Sequence, residues 1–288
     1  MSGPVAPPAS VAALSRRRET GAASARSLLL TVLGEFVLPR RSPVWTGVLV
    51  GSLAALGVEE KAARQALSRT AAEGLIVASR EGRRVRWSLS PEGTRLLAAG
   101  AERIHGFLRE VPQWDGEWLV LAVTVPETQR QLRHRLRTRL TWAGFGSPLP
   151  GLWVSPDTGK EQEAAAVVAE LGVDAFSYVG RSGPVGEELR VVAQAWDLDG
   201  LAAEYSGFLG GFTAQDPGTA REAFVAQVRL VQAWRRFPSL DPALPVPLLP
   251  QGWPGHEAAA VFQARHEAWH RSAQQHWDEL CGAAAGRL

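Results

Sequence analysis

The chain has 288 residues, 45% of them hydrophobic and 21% charged, with a net charge of +2. That content can bury a sizeable core divided over two or three domains. No apolar run approaches the roughly 20 residues that cross a bilayer, and the start lacks a basic region followed by a sustained apolar one, so a cytoplasmic protein without a membrane partner is expected. The single cysteine, Cys281, can make neither an internal disulfide nor a thiolate metal site.

The net charge hides an asymmetry. Residues 24–100 carry 11 Lys and Arg against 6 Asp and Glu, whereas residues 101–288 carry 17 against 22. A basic front joined to an acidic remainder suggests a nucleic-acid-facing module attached to a second function.

Residues 1–23 are rich in Pro, Ala, Ser and Arg without apolar periodicity and read as a disordered tail. A winged-helix domain is expected over 24–100. Ser24 is placed to cap a first helix in SARSLLLTVLGEFVLP that stops at Pro39. VWTGVLVGSLAALGV is a second helix closed by Gly57. In EEKAARQALSRTAAEGL, Ala63, Ala66, Leu67 and Thr70 fall on one face while Arg64, Gln65, Ser68 and Arg69 fall on the other, with Gly74 just past the end. IVASREGRRVRWSLS then reads as two strands around a Glu-Gly turn, Val85, Trp87 and Leu89 alternating with Arg84, Arg86 and Ser88.

Three helices followed by an arginine-bearing hairpin make a winged helix-turn-helix. Arg64, Gln65, Ser68 and Arg69 are then candidates for base edges in the major groove. Arg80, Arg83, Arg84 and Arg86 of the wing suit phosphates or the minor groove, adding affinity more than discrimination. The same arginines would also serve a merely solvated surface.

After a connector over 101–115, residues 116–182 read as a β-α-β-β-α-β or related α+β sandwich. WLVLAVTVPE is its first strand, and TQRQLRHRLRTRLTWAGF a helix with Leu132, Leu136 and Leu140 on one side and arginines on the other. GLWVSP, KEQEAAAVVAELG and VDAFSYVG supply a strand, a helix and a strand. Residues 188–288 are expected to form a helical C-terminal domain, interrupted by the Pro- and Gly-rich RRFPSLDPALPVPLLPQGWPG.

HEAWHRSAQQH, 266–276, contains H-E-x-x-H, the zinc-hydrolase signature, and a third histidine at the metzincin spacing. The metzincin pattern needs a helix-breaking glycine seven residues after the first histidine, and here that residue is Ala273. If the helix continues, His276 lies about 9 Å beyond His270 along the axis. The only methionine is Met1, so a Met-turn is impossible. No catalytic metal site, cofactor or enzymatic activity is therefore expected; the histidines are read as solvated or dimer-surface groups on a packing helix, with weak, non-catalytic metal capture by His266 and His270 at i and i+4 as the alternative.

SARSLLLTVLGEFVLPR, GVEEKAARQALSRTAAEGLIVASREGRRVRWSLSPEG, GFGSPLPGLWVSP, WDLDGLAAEYSGF and RRFPSLDPALPVPLLPQGWPG occur in an order that resembles the PaaX family of transcriptional regulators from about residue 24 to 280. The resemblance implies an α+β chain with a winged helix, a ferredoxin-like middle domain and a helical C-terminal domain. It also implies a homodimeric repressor of an aromatic-compound or acyl-CoA catabolic operon, such as that for phenylacetate. Release from a palindromic operator in double-stranded DNA would come from a CoA thioester, phenylacetyl-CoA in the namesake. Glu59–Glu73 matches the family's recognition helix. Thr124 departs from the acidic residue often found at the end of the first middle-domain strand, which argues against nuclease chemistry there. Arg130, Arg133, Arg137, Trp142 and Trp153 are candidate effector walls, guanidinium groups for CoA phosphates and rings for an aryl group. The alternatives are an architectural nucleic-acid-binding protein without a ligand, or a zinc hydrolase acting through HEAWH.

Overall fold

The computed structural model describes residues 23–110, 113–185 and 187–285. The expected tail lies outside the described residues up to residue 22. The chain forms two compact units, the first from residues up to 107, 210–236 and 260 onward, the second from 108–209 and 237–259.

The first unit opens with α1 (Ala25–Val32), which begins where the Ser24 hydroxyl accepts the Ser27 N–H at 3.2 Å. Leu28 to Val32 are all buried. The helix then widens into a π turn, Leu33–Val37. The Leu38 N–H reaches back five residues to the Leu33 carbonyl at 2.8 Å. The sequence pattern gave no sign of this widening, because a π turn keeps the apolar face continuous. Val44–Trp45 forms a short strand, β1, where a helix start was expected, and α2 follows as Thr46–Ala55.

Helix α3 (Glu60–Ala72) buries Ala63, Ala66, Leu67 and Thr70, the four positions its periodicity predicted. Gly74 sits past its end at φ +74°, in the left-handed region. Strands β2 (Ile76–Glu81) and β3 (Arg84–Leu89) form an antiparallel hairpin, with β1 on the far side of β3. Every residue of β3 is half-covered, so the expected alternation of buried and exposed residues is absent. Helix α4 (Pro91–Gly106) starts at Ser90, whose hydroxyl accepts the Gly93 N–H at 2.9 Å and donates to the Gly74 carbonyl at 2.6 Å. A Cβ at Gly93 would lie 2.0 Å from the Leu75 carbonyl oxygen, so this close approach requires glycine.

The second unit is built on β4 (Trp118–Thr124), α5 (Arg130–Trp142), β5 (Gly146–Leu149), β6 (Leu152–Ser155), α6 (Glu161–Leu171) and β7 (Asp174–Gly180). Its strand order, β5-β6-β4-β7 with every neighbour antiparallel, is that of a ferredoxin-like sheet. Alternation along β4 sorts its residues between two layers. Leu119, Leu121 and Val123 join Leu136, Leu140 and Phe145 beneath the two helices. Trp118 and Val120 pack on the other side with Val154, Val192, Leu198 and Leu248. Those last three come from α7 (Glu188–Ala195), α8 (Leu198–Phe212) and the proline-rich segment, which thereby cover the second face. Within it Phe237 stacks on Tyr205 with ring centroids 4.1 Å apart.

The remainder of the first unit is α9 (Ala220–Trp234), started by a Thr219/Glu222 capping box, and most of α10 (Gly255–Ala285). Residues Phe262, Trp269, Ala273 and Trp277 of α10 are buried. Phe36 from the π turn stacks on Trp277 at 5.3 Å and meets Phe224 at 4.9 Å, while Trp234 stacks on Phe262 at 4.9 Å. The winged helix thus shares one aromatic core with the late helices.

Candidate nucleic-acid interface

The buried face of α3 dictates its outer face. With Ala63, Ala66, Leu67 and Thr70 turned inward, Arg64, Gln65, Ser68 and Arg69 are all exposed on one open surface, together with Glu60 and Lys61. The Arg64 guanidinium is held by Glu60 one turn back, Nε to Oε1 at 2.8 Å. Thr70, the polar member of the inner face, donates to the Ala66 carbonyl at 2.8 Å and so costs no unsatisfied group.

The wing arginines divide by position. Arg80 and Arg83 are exposed, Arg83 beside the tip glycine Gly82 at φ +61°. Arg84 and Arg86 instead lie over the ring of Trp45, with guanidinium carbons 3.9 and 4.1 Å from its centroid. Register explains this, since Trp45 stands directly opposite Arg86 across the β1–β3 pair. Arg84 also donates to the Ala284 carbonyl, and Arg86 pairs with Glu81 at 3.0 Å. Two of the four wing arginines therefore have intramolecular partners that sequence reasoning did not supply. Trp45 was missed because a two-residue strand has no periodicity to detect.

On α5, Arg130, Arg133 and Arg137 are exposed, and Arg133 donates to the Glu127 carbonyl at 2.8 Å. Arg139 pairs with Glu170. Trp142 is half-buried at the end of the helix. Trp153 is 6% exposed, placed opposite Leu121 in the core beneath α5 and α6. The structure therefore does not bring Trp153 to the surface that carries the arginine row. Thr124 is exposed at the end of β4, opposite Asp174.

Comparison with known proteins decides what these surfaces belong to. Residues 24–93 match the family model for PaaX-like protein, 111–190 that for the PaaX protein central Cas2-like domain, and 196–279 that for the PaaX-like protein C-terminal domain. The transcriptional repressor PaaX of Escherichia coli K12 is 33% identical over 248 residues, covering 82% of this chain and 77% of that protein. The chain belongs to the PaaX family. It is therefore a transcriptional regulator and not an enzyme, with the winged-helix, ferredoxin-like and helical parts that the family carries. A solved structure, the uncharacterized protein Rv0674 from Mycobacterium tuberculosis, is similar with a TM-score of 0.62 at 25% identity, over 89% of this chain and 98% of that one. Among the described residues no helix is long and apolar enough to cross a membrane.

Within this PaaX-family architecture the H-E-x-x-H segment has no break. Helix α10 runs unbroken through Ala273, which is fully buried, so the glycine turn of a metzincin is absent. His270 and Glu267 are exposed. His266 is not the solvated group its sequence position implied, because its Nε2 lies 2.7 Å from Glu35 Oε2. His105, at the end of α4, puts its Nε2 3.1 Å from Glu35 Oε1. Burial alone would raise the Glu35 carboxyl, but the hydrogen bonds and charges of His105 and His266 outweigh it and hold that carboxyl well below the usual carboxylate range. His276 is largely enclosed too, its ring 5.3 Å from that of Phe224.

Proposed function

We propose that this regulator is an effector-responsive repressor of a catabolic operon for aromatic compounds or acyl-CoA substrates, acting in the cytoplasm on double-stranded operator DNA. The observation that carries the reading is the outer face of α3, where Arg64, Gln65, Ser68 and Arg69 stand exposed on a rigid helix. Arg and Gln are the side chains that address guanine and adenine edges, and Ser68 lets the helix backbone approach. Arg80 and Arg83 extend a positive edge toward the flanking phosphates.

A homodimer on a palindromic site would double this small surface and fix the spacing of its two halves. Strand β7 supports that reading. It lies at the edge of its sheet with Phe176 and Tyr178 67% and 64% exposed, a combination that a second copy would cover. Release by a CoA thioester such as phenylacetyl-CoA is the effector reading. Arg130, Arg133 and Arg137 offer guanidinium groups to its phosphates, with Trp142 at the C-terminal end of the same helix. By linkage, a ligand that favours a non-binding arrangement weakens DNA affinity by its own preference for that arrangement.

Footprinting of the full-length protein on the promoter nearest its coding region, with and without a panel of acyl- and aryl-CoA thioesters, tests the proposal. A protected palindrome lost on addition of one thioester is the expected result. Protection without sequence preference, indifferent to every thioester, would overturn it in favour of an architectural protein.

A further inference from the structure

Three side chains from separate segments of the first unit converge on one point. Glu35 comes from the π turn, His105 from the end of α4 and His266 from α10, with one donor atom of each lying within 4.8 Å of the others. Both imidazoles present Nε2 to the same carboxylate, at 3.1 and 2.7 Å, and their rings are 4.7 Å apart. Neighbouring donors around a tetrahedral ion bound at ~2.0–2.2 Å are ~3.3 Å apart, so these atoms already stand near ligand spacing.

A fourth group completes the set. Gln227 of α9 is fully buried, and its Nε2 donates to Glu35 Oε2 at 2.9 Å while touching His266 Nε2 at 3.3 Å. Its Oε1 is buried without a hydrogen-bond partner among the described residues. A half-turn of the carboxamide exchanges the two atoms and aims that unsatisfied oxygen into the cluster. Two imidazole nitrogens, a carboxylate and an amide oxygen form a borderline donor set suited to zinc and its neighbours rather than to calcium or magnesium. The π turn that carries Glu35 is itself a conformation found at functional positions.

We propose that Glu35, His105 and His266, with Gln227 as fourth donor, bind a divalent ion of the zinc class that cross-links four segments of the first unit. Each imidazole then keeps its proton on Nδ1 and gives the Nε2 lone pair to the ion. His105, 32% exposed at its side chain, provides the entry path. The role is structural. All four positions are taken by the protein, and the exposed Glu267 and His270 take no part.

Full-length protein stripped by a chelator and titrated with Zn²⁺ tests the site. One equivalent should be retained through dialysis, and the melting temperature should rise by about 5 °C at a hundredfold excess over Kd. Co²⁺ should give the intense visible bands of a four-coordinate ion. H105Q and H266Q should each weaken binding by more than ~100-fold and lose the Co²⁺ bands, while H270Q binds as wild type does. Failure of the wild type to retain one equivalent, or full binding by H105Q, would overturn the proposal. Should H266Q not fold, H105Q at its more exposed position and the wild-type Co²⁺ spectrum still decide.

Discussion

The Tyr205 hydroxyl donates a 2.5 Å hydrogen bond to Asp241 Oδ2, joining the segment WDLDGLAAEYSGF to the proline-rich segment that begins RRFPSLD. Asp241 Oδ1 accepts the Ala243 N–H at 2.7 Å, and Ala243 sits at φ +55°, so this one carboxylate holds a strained turn and a buried phenol together. Burial and the neighbouring carboxylate both push the Tyr205 phenol far above its ordinary range, so it stays protonated and able to donate to Asp241.

Removal of that donor is the simplest test. Tyr205→Phe leaves the stack on Phe237 intact but strips a buried carboxylate of a partner, and should cost about 1–3 kcal/mol in urea unfolding followed by tryptophan fluorescence. DNA affinity measured below the transition should not change. A variant as stable as wild type would show that the pair contributes no net stability.

The same carboxylate sets a pH dependence. Burial raises the Asp241 carboxyl above its ordinary value, against the hydrogen bonds from Tyr205 and Ala243 and the charge of His256. The folded state then binds more protons than the unfolded state between the ordinary value of ~3.9 and the raised one. This contribution to stability is complete below the ordinary value and is lost as pH rises through the folded one. Wild type should therefore lose stability relative to Asp241→Asn as pH is raised from about 4 toward neutrality. Parallel melting-temperature curves for the two proteins would contradict this.

Arg69→Ala removes one side chain of the proposed reading face of α3 without touching its buried face. Operator affinity, followed by fluorescence anisotropy, should fall about tenfold or more, equivalent to ~1–3 kcal/mol, with an unchanged thermal melt. Unchanged affinity would remove α3 from the interface.

Arg83 and Arg84 are adjacent in sequence and should behave differently. Arg83→Ala, at the exposed tip, should lower affinity and reduce the slope of log affinity against log salt by about one. Arg84→Ala breaks the stack on Trp45 and the bond to the Ala284 carbonyl, and should lower stability by about 1–2 kcal/mol. Equal effects of the two substitutions on stability would refute the division of the wing.

Features governed by local pattern were legible in the sequence. Ser24 as a cap, Gly74 at a helix end, the inner face of α3 and the tip at Gly82 each follow from residues within a few positions. The succession of strands and helices suggested an α+β sandwich in the middle domain, but the short strand Gly146–Leu149 was not read from it, and the ferredoxin-like order came from the family resemblance. What escaped depended on distant pairing. Trp45 reaches Arg84 and Arg86 only through strand register, and His266 meets Glu35 across 231 positions. The H-E-x-x-H spacing drew attention to the right helix for the wrong reason, because His266 finds its partners on other segments rather than on its own. Trp153 carries an aromatic ring but sits where alternation along β6 turns it inward, a distinction that composition does not make.

The discontinuity of the first unit bears on how such regulators can be recombined. A fragment cut after residue 100 would keep α3 and the wing yet leave Phe36 without Phe224 and Trp277, and Arg84 without the Ala284 carbonyl. A chimaera meant to transplant this DNA preference into another regulator has to carry residues 210–236 and 260–285 along with the winged helix. Any DNA preference of α3 is then carried by three separate stretches of the chain rather than by the winged helix alone.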